Sequence, residues 1–153
     1  MSSSEKPKIE AVFVLEILGR PKEHLIEVLE DIIKKMSEEK GVSLVNKKIP
    51  EPIESKEKKD FFATHAEVEL EVEEPFQLAV LMFKYMPSHI EIVSPENLTI
   101  SNNDFSDMLS EITRRLHSYD ELMKMIQFEN ARLTKKVQEL SPKDKEDSKE
   151  NKK

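Results

Sequence analysis

Cysteine is absent, which removes disulfides, thiolate nucleophiles and cysteine-ligated metals and fits a reducing compartment. Glycine occurs only at Gly19 and Gly41. A loop that cradles phosphates needs several glycines, so that the backbone can approach the ligand closely. Neither a P-loop nor a dinucleotide fingerprint can be built from two. Positive charge is in deficit, with a formal net charge of -7. Neutralising a phosphate backbone needs clustered Lys and Arg in excess, which argues against a general phosphate-binding surface but leaves room for a local basic patch. Long apolar runs are missing too. Met1 to Lys8 is polar and has no apolar signal core, and every apolar stretch is broken by charge well short of a membrane span. No membrane association is expected, and a cytoplasmic location is the default.

What remains is a chain of 153 residues, enough for one domain with a real core plus an extension and too short for two ordinary domains. Residues Ile9 to Leu18 read as a strand. Ile9, Ala11, Phe13, Leu15 and Ile17 share one face, and Glu10, Val12, Val14, Glu16 and Leu18 the other. Gly19-Arg20-Pro21 makes a turn, with Pro21 suited to a first helical position where its missing N–H has no partner anyway. From Pro21 to about Glu39, Leu25, Ile26, Leu29, Ile32, Ile33 and Met36 recur at steps that give an amphipathic helix, stopped by Gly41.

Val42 to Ile49 is a weaker second strand, ended by Pro50 and Pro52. The charged segment Pro50 to Asp60 is long for a hairpin connection and reads as a mobile loop. Phe61 to Glu73 is the clearest strand. Phe62, Thr64, Ala66, Val68, Leu70 and Val72 alternate with Phe61, Ala63, His65, Glu67, Glu69, Glu71 and Glu73, so one face is core and the other meets water or a partner. Pro75 opens a helix whose expected buried stripe is Phe76, Ala79, Val80, Phe83 and Met86. A short strand follows Pro87, with Ile90 and Ile92 on its inner face. The order is β-α-β-β-α-β, which predicts an α+β fold of the ferredoxin-like or α/β-plait kind over residues 9–100. Residues 1–8 and 141–153 are expected to be disordered, the latter as a mixed-charge tail that cannot bury a core.

Residues 101–140 carry the sharpest pattern. Ser101, Asn102, Asn103 and Asp104 offer capping side chains, and no proline or glycine follows until Pro142. Phe105, Leu109, Ile112, Leu116, Tyr119, Met123, Ile126, Asn130, Leu133, Val137 and Leu140 are spaced by four and three in strict alternation. That is a heptad seam, with Leu109, Leu116, Met123, Asn130 and Val137 at a and the others at d. Asn130 is the one polar residue on it. A lone Asn at a can hydrogen-bond its symmetry mate and so fix register and two-stranded parallel pairing. Met108, Leu122 and Met125 widen the stripe in its first half, so residues up to about Met125 are expected to dock on the plait or its mate and the rest to form a coiled coil between two copies. The alternative is that the whole helix folds back on its own domain.

Candidate sites are few. Glu67, Glu69, Glu71 and Glu73 stand in line on the outer face of the third strand with His65 at one end, and Glu10 and Glu16 would be neighbours in a plait. With Val12 and Val14 they mark a surface for a protein partner more than a metal or acid/base site, because no cleft or further ligand is signalled. RNA binding through that face is not expected, since plait domains that hold RNA stack bases on sheet aromatics where this chain has Glu. Lys47, Lys48, Lys56, Lys58 and Lys59 form the basic cluster. His24, His65, His89 and His117 fall in no metal-ligand spacing. No catalytic residue, metal or cofactor is called for.

The β-α-β-β-α-β order resembles the small regulatory plait domains, including ACT-like modules. That resemblance implies paired sheets or edges and a small effector, with the effector loop represented by Gly19-Arg20-Pro21. Ile90 to Leu98 resembles the closing strand of the C-terminal extension on some bacterial WYL regulators. The cysteine-free, Lys- and Glu-rich style, with the segment Tyr85 to Ile92 (YMPSHIEI), is similar to small archaeal proteins. The expected function is that of a non-enzymatic dimeric interaction or regulatory protein. The alternatives are a small-molecule-sensing module with its ligand near Gly19 to His24, and a ribosome- or RNA-associated factor acting through Lys47 to Lys59.

Overall fold

A computed structural model describes residues 6–141. The chain divides into two compact units, one ending at Glu111 and the other beginning at Ile112. In the first, β1 (Ile9–Gly19), α1 (Lys22–Ser37), β2 (Val42–Lys48), β3 (Ile53–Glu54), β4 (Phe62–Val72), α2 (Pro75–Tyr85) and β5 (His89–Ser94) follow one another, and α3 (Asn102–Leu140) begins there. The sheet runs β2-β4-β1-β5, with every pairing antiparallel and β3 added to β4. Two crossovers by helices and one return from β2 produce this order, which is the α/β plait. β1 and β4 occupy its centre.

Alternation decides which side is core. Ile9, Ala11, Phe13 and Leu15 of β1 face the helices beside Ala66, Val68, Leu70 and Val72 of β4, all of them buried. Leu25, Leu29, Ile33 and Met36 of α1 cover them. A fully buried side chain of this size contributes about 1.5–3 kcal/mol, so the two central strands and α1 carry most of the unit's apolar stabilisation.

Four local expectations change. Pro21 is the N-cap of α1 and not its first helical residue. Ile53 and Glu54 pair with Ala63 and Phe62, so the Pro50–Asp60 segment holds a two-residue strand where a mobile loop was expected. Pro50 and Pro52 cannot donate to a ladder, which ends β2 and delays pairing until Ile53. Thr64 Oγ1 donates to the Pro50 carbonyl at 2.8 Å, and Asp60 turns the chain with φ 64. In α2 the buried residues are Leu78, Ala79 and Leu81, with Tyr85 packed alongside, while Phe76 and Met86 are exposed. Gln77 sets this rotation. Its Oε1 accepts from the Glu73 and Glu74 N–H groups at 3.0 and 3.1 Å, and its amide nitrogen donates to the Lys40 carbonyl, so the neighbouring Leu78 turns to the core. Ile92 is 44% exposed although Ile90 packs on the core, because β5 is an edge strand whose register with β1 shifts just past Ile92.

Of residues 1–8 only 6–8 are described; they form no regular element, and Lys8 pairs with Glu71 at 2.7 Å. The tail expected beyond Ser141 lies outside the described residues.

Gly41 joins α1 to β2 with φ +72, and a Cβ there would strike the Gln77 amide nitrogen. Left-handed backbone costs an L residue about 1–2 kcal/mol, and displacing Gln77 removes the capping bonds of α2 as well. Gly41→Ala is expected to lower unfolding stability by roughly 2–3 kcal/mol in urea titration. An unchanged midpoint would show that Gln77 is not the brace the geometry makes it.

Candidate functional site: an open acidic sheet face and an exposed helical seam

The helix-free face of the sheet is a small grid. Glu10 lies opposite Glu71, Val12 opposite Glu69, Val14 opposite Glu67 and Glu16 opposite His65. On the far side of β1, Val12 meets Glu91 and Val14 meets His89. On the far side of β4, Lys48 meets Glu67 and Asn46 meets Glu69. Of the residues expected to form a partner surface (Val12, Val14, His65, Glu67, Glu69, Glu71, Lys47, Lys48, Lys58 and Lys59), the first six and Lys48 share this face, and β5 adds Glu91 and His89.

The carboxylates of this grid are partly offset. Lys8 holds Glu71, and His65 Nε2 stands 3.7 Å from Glu67 Oε1. Glu10 hydrogen-bonds to Glu69, and that bond, with desolvation and the charges of Glu69 and Glu71, raises its pKa above the ordinary 4.5. Among the described residues no three His, Asp or Glu side chains converge as a metal site would require.

The basic cluster does not stay together. Lys47 lies on the helix-covered side of β2 and pairs with Glu30 of α1, whereas Lys48 faces Glu67 on the open side. Lys58 sits 4.5 Å from the Phe61 ring centroid, with Arg20 at 5.2 Å from the same ring. Lys59 is exposed beside them. Strand alternation separates Lys47 from Lys48, and the bulge in β2 between Leu44 and Asn46 decides which face each takes. Near the turn at Gly19, a hollow of about 500 Å³ is lined by Leu18, Ile53, Ala63, Thr64 and His65 among others.

A family model named MJ0538 matches residues 10–151. The chain belongs to the MJ0538 family. The match fits the archaeal resemblance, and it points to no ACT-like or WYL family. No curated protein and no solved structure matches the chain.

In this MJ0538-family chain α3 runs unbroken for 39 residues, about 58 Å. Its seam side chains are exposed: Leu109 48%, Leu116 57%, Tyr119 42%, Met123 53%, Ile126 52%, Leu133 48%, Val137 62% and Leu140 82%, with only Ile112 half-buried. In the opening turns the packed residues are Met108 and Glu111, the latter 6% exposed, while Phe105 and Leu109 remain open. The docking face of those turns is therefore rotated off the seam. Leu122 at 52% and Met125 at 68% are exposed as well. Glu111 was missed because a charged residue carries no apolar signal; its spacing of three from Met108 is the only hint. Among the described residues no helix is long and apolar enough to cross a membrane.

The raised pKa of Glu10 fixes a sign. The folded state holds that proton more tightly than the unfolded chain, so its contribution is full below 4.5 and is lost as pH rises through the raised folded value. Carboxyl NMR titration should find Glu10 ionising above the ordinary value, and Glu69→Ala should bring it back towards 4.5. An unmoved midpoint in the variant would mean that Glu69 is not its partner.

Proposed function

We propose that this is a cytoplasmic, non-enzymatic interaction protein that works as a homodimer: α3 pairs with the α3 of a second copy as a coiled coil, and the plait offers its open acidic face to a protein partner. The observation that carries the reading is the row of exposed seam residues from Leu116 to Leu140. Eight seam positions spaced by four and three, mostly apolar and about half or more exposed on one helix, need a matching helix to leave water. On the plait, Val12 and Val14 are half-buried within a frame of Glu10, Glu67, Glu69, Glu71 and Glu91, which suits a partner with Lys or Arg around an apolar centre.

A second reading, a small-molecule sensor of the ACT-like kind, is favoured by the hollow beside Leu18 and Ile53 close to Gly19. Selective ligand binding to the native state raises the melting temperature, so a thermal-shift screen with amino acids and nucleotides separates the two. For the RNA-associated alternative, the splitting of Lys47 and Lys48 between the two sheet faces removes part of the patch it relied on.

Sedimentation equilibrium on the intact protein should give twice the 17.8 kDa chain mass at micromolar concentration. Leu116→Glu with Ile126→Glu should give the single-chain mass while the plait keeps its circular dichroism, because burying carboxylates in two layers costs several kcal/mol. A wild-type protein that stays monomeric with α3 still helical would end this reading.

A further inference from the structure

We infer that the two α3 helices pair parallel and in register, and that Asn130 is the residue that limits the bundle to two strands. The inference deepens the proposed self-association and rests on it.

Register follows from where Asn130 can be satisfied. With two parallel helices in register, every seam residue meets its own copy, and the Asn130 side chains donate and accept across the axis. In an antiparallel pair that overlays Leu116–Leu140 on itself, Asn130 falls opposite Ile126, and a desolvated amide faces a hydrocarbon. Sliding that pair until the two asparagines meet sets Ile126 against Thr134, Leu133 against Gln127 and Leu140 against Asp120, so three apolar seam residues face polar side chains. Flanking charge points the same way. Arg115 precedes Leu116 at g, Asp120 follows Tyr119 at e, and parallel in-register pairing sets each g beside the e′ five residues on, so Arg115 meets the partner's Asp120 twice over by symmetry.

Strand number is a separate matter, and here the seam contains opposing preferences. Val137 at a with Leu133 and Leu140 at d is the two-stranded combination. Upstream, Leu109 and Leu116 at a with Ile112 and Ile126 at d is the combination that moves parallel coils towards four strands. Leu122 stands beside the seam at g with 52% exposure, area that a larger bundle would cover in part. Asn130 adds to the Val137 layer in opposing that drift, and it does so within the core, because a polar a residue is satisfied between two strands and left short of partners in a wider core. Pairing of this kind puts both plaits at the same end of the coil, so two copies of the acidic face are presented together and a repeated basic partner is bound bivalently.

The test uses the full chain, whose lack of cysteine makes any introduced thiol unique. Leu140→Cys lies at the last d position, where a parallel in-register pair brings the two sulfurs together and an antiparallel overlay holds them about 36 Å apart. Air oxidation should convert the variant almost fully to a covalent dimer of unchanged helix content. Asn130→Leu should melt at higher temperature and sediment as four chains where the wild type sediments as two. Three results overturn the inference while leaving self-association intact: a two-chain wild type whose Leu140→Cys form does not cross-link, an Asn130→Leu variant that remains at two chains, or a wild type of three or more chains. A monomeric wild type removes the self-association itself and the inference with it.

Discussion

Eleven residues of β1 lie antiparallel to eleven of β4, from Ile9 opposite Val72 to Gly19 opposite Phe62, without a register shift. Everything else in the first unit is referred to this ladder. A slip of β4 by one residue would carry Val68 and Leu70 to the open face and turn Glu67, Glu69 and Glu71 into the core, where unpaired carboxylates cannot stay ionised. The same alternation that builds the core therefore also assembles the acidic grid. Core and candidate surface are two sides of one pairing, and neither could be changed without the other.

The ladder also explains what was legible in the sequence. β4 has near-perfect period two, so its buried side, its outward carboxylates and its neighbour β1 could all be read in advance. The α3 seam was legible for a similar reason: its period persists over more than thirty residues, and no local accident erases it. What could not be read depends on single side chains acting across the chain. The rotation of α2 is set by Gln77 reaching back to Lys40, and a helix of 11 residues with apolar groups on several sides has no periodicity strong enough to announce it. The pairing of Ile53 with Ala63 is a two-residue event after two prolines. Glu111 is buried against every composition rule. The bulge at Val45 inverts the alternation of β2 beyond it, which turns Lys47 to the helix side and Lys48 to the open face, the reverse of what an unbroken strand would give.

Packing between the two covering helices is similarly specific and similarly hidden. Glu39, just past the end of α1, accepts a hydrogen bond from the Tyr85 hydroxyl at 2.6 Å and pairs with Lys84, both at the end of α2. The lysine and the phenol hold the Glu39 carboxyl below its usual range, and burial with the adjacent carboxylate pushes the Tyr85 hydroxyl well above its own. The Tyr85 hydroxyl is committed to Glu39, so Tyr85 braces the end of α2 against the end of α1.

Folding and assembly draw on different residues. The plait closes its core with side chains from β1, β4, α1 and α2, and among the described residues none of its buried side-chain polar atoms lacks a partner. α3 from Ile112 onward has no buried residue at all among those described. An isolated helix gains little from propensity alone, and most helical stability in proteins comes from packing an apolar face. The plait's core is thus closed by its own residues, whereas the proposed cover of the second unit is its copy. This separation gives seam variants their diagnostic value, because they act on assembly with the plait as an internal control. In the proposed pair, Asn130 lies on a surface from which the plait draws no buried side chain, so any stability lost there bears on pairing and not on the domain that carries the acidic face.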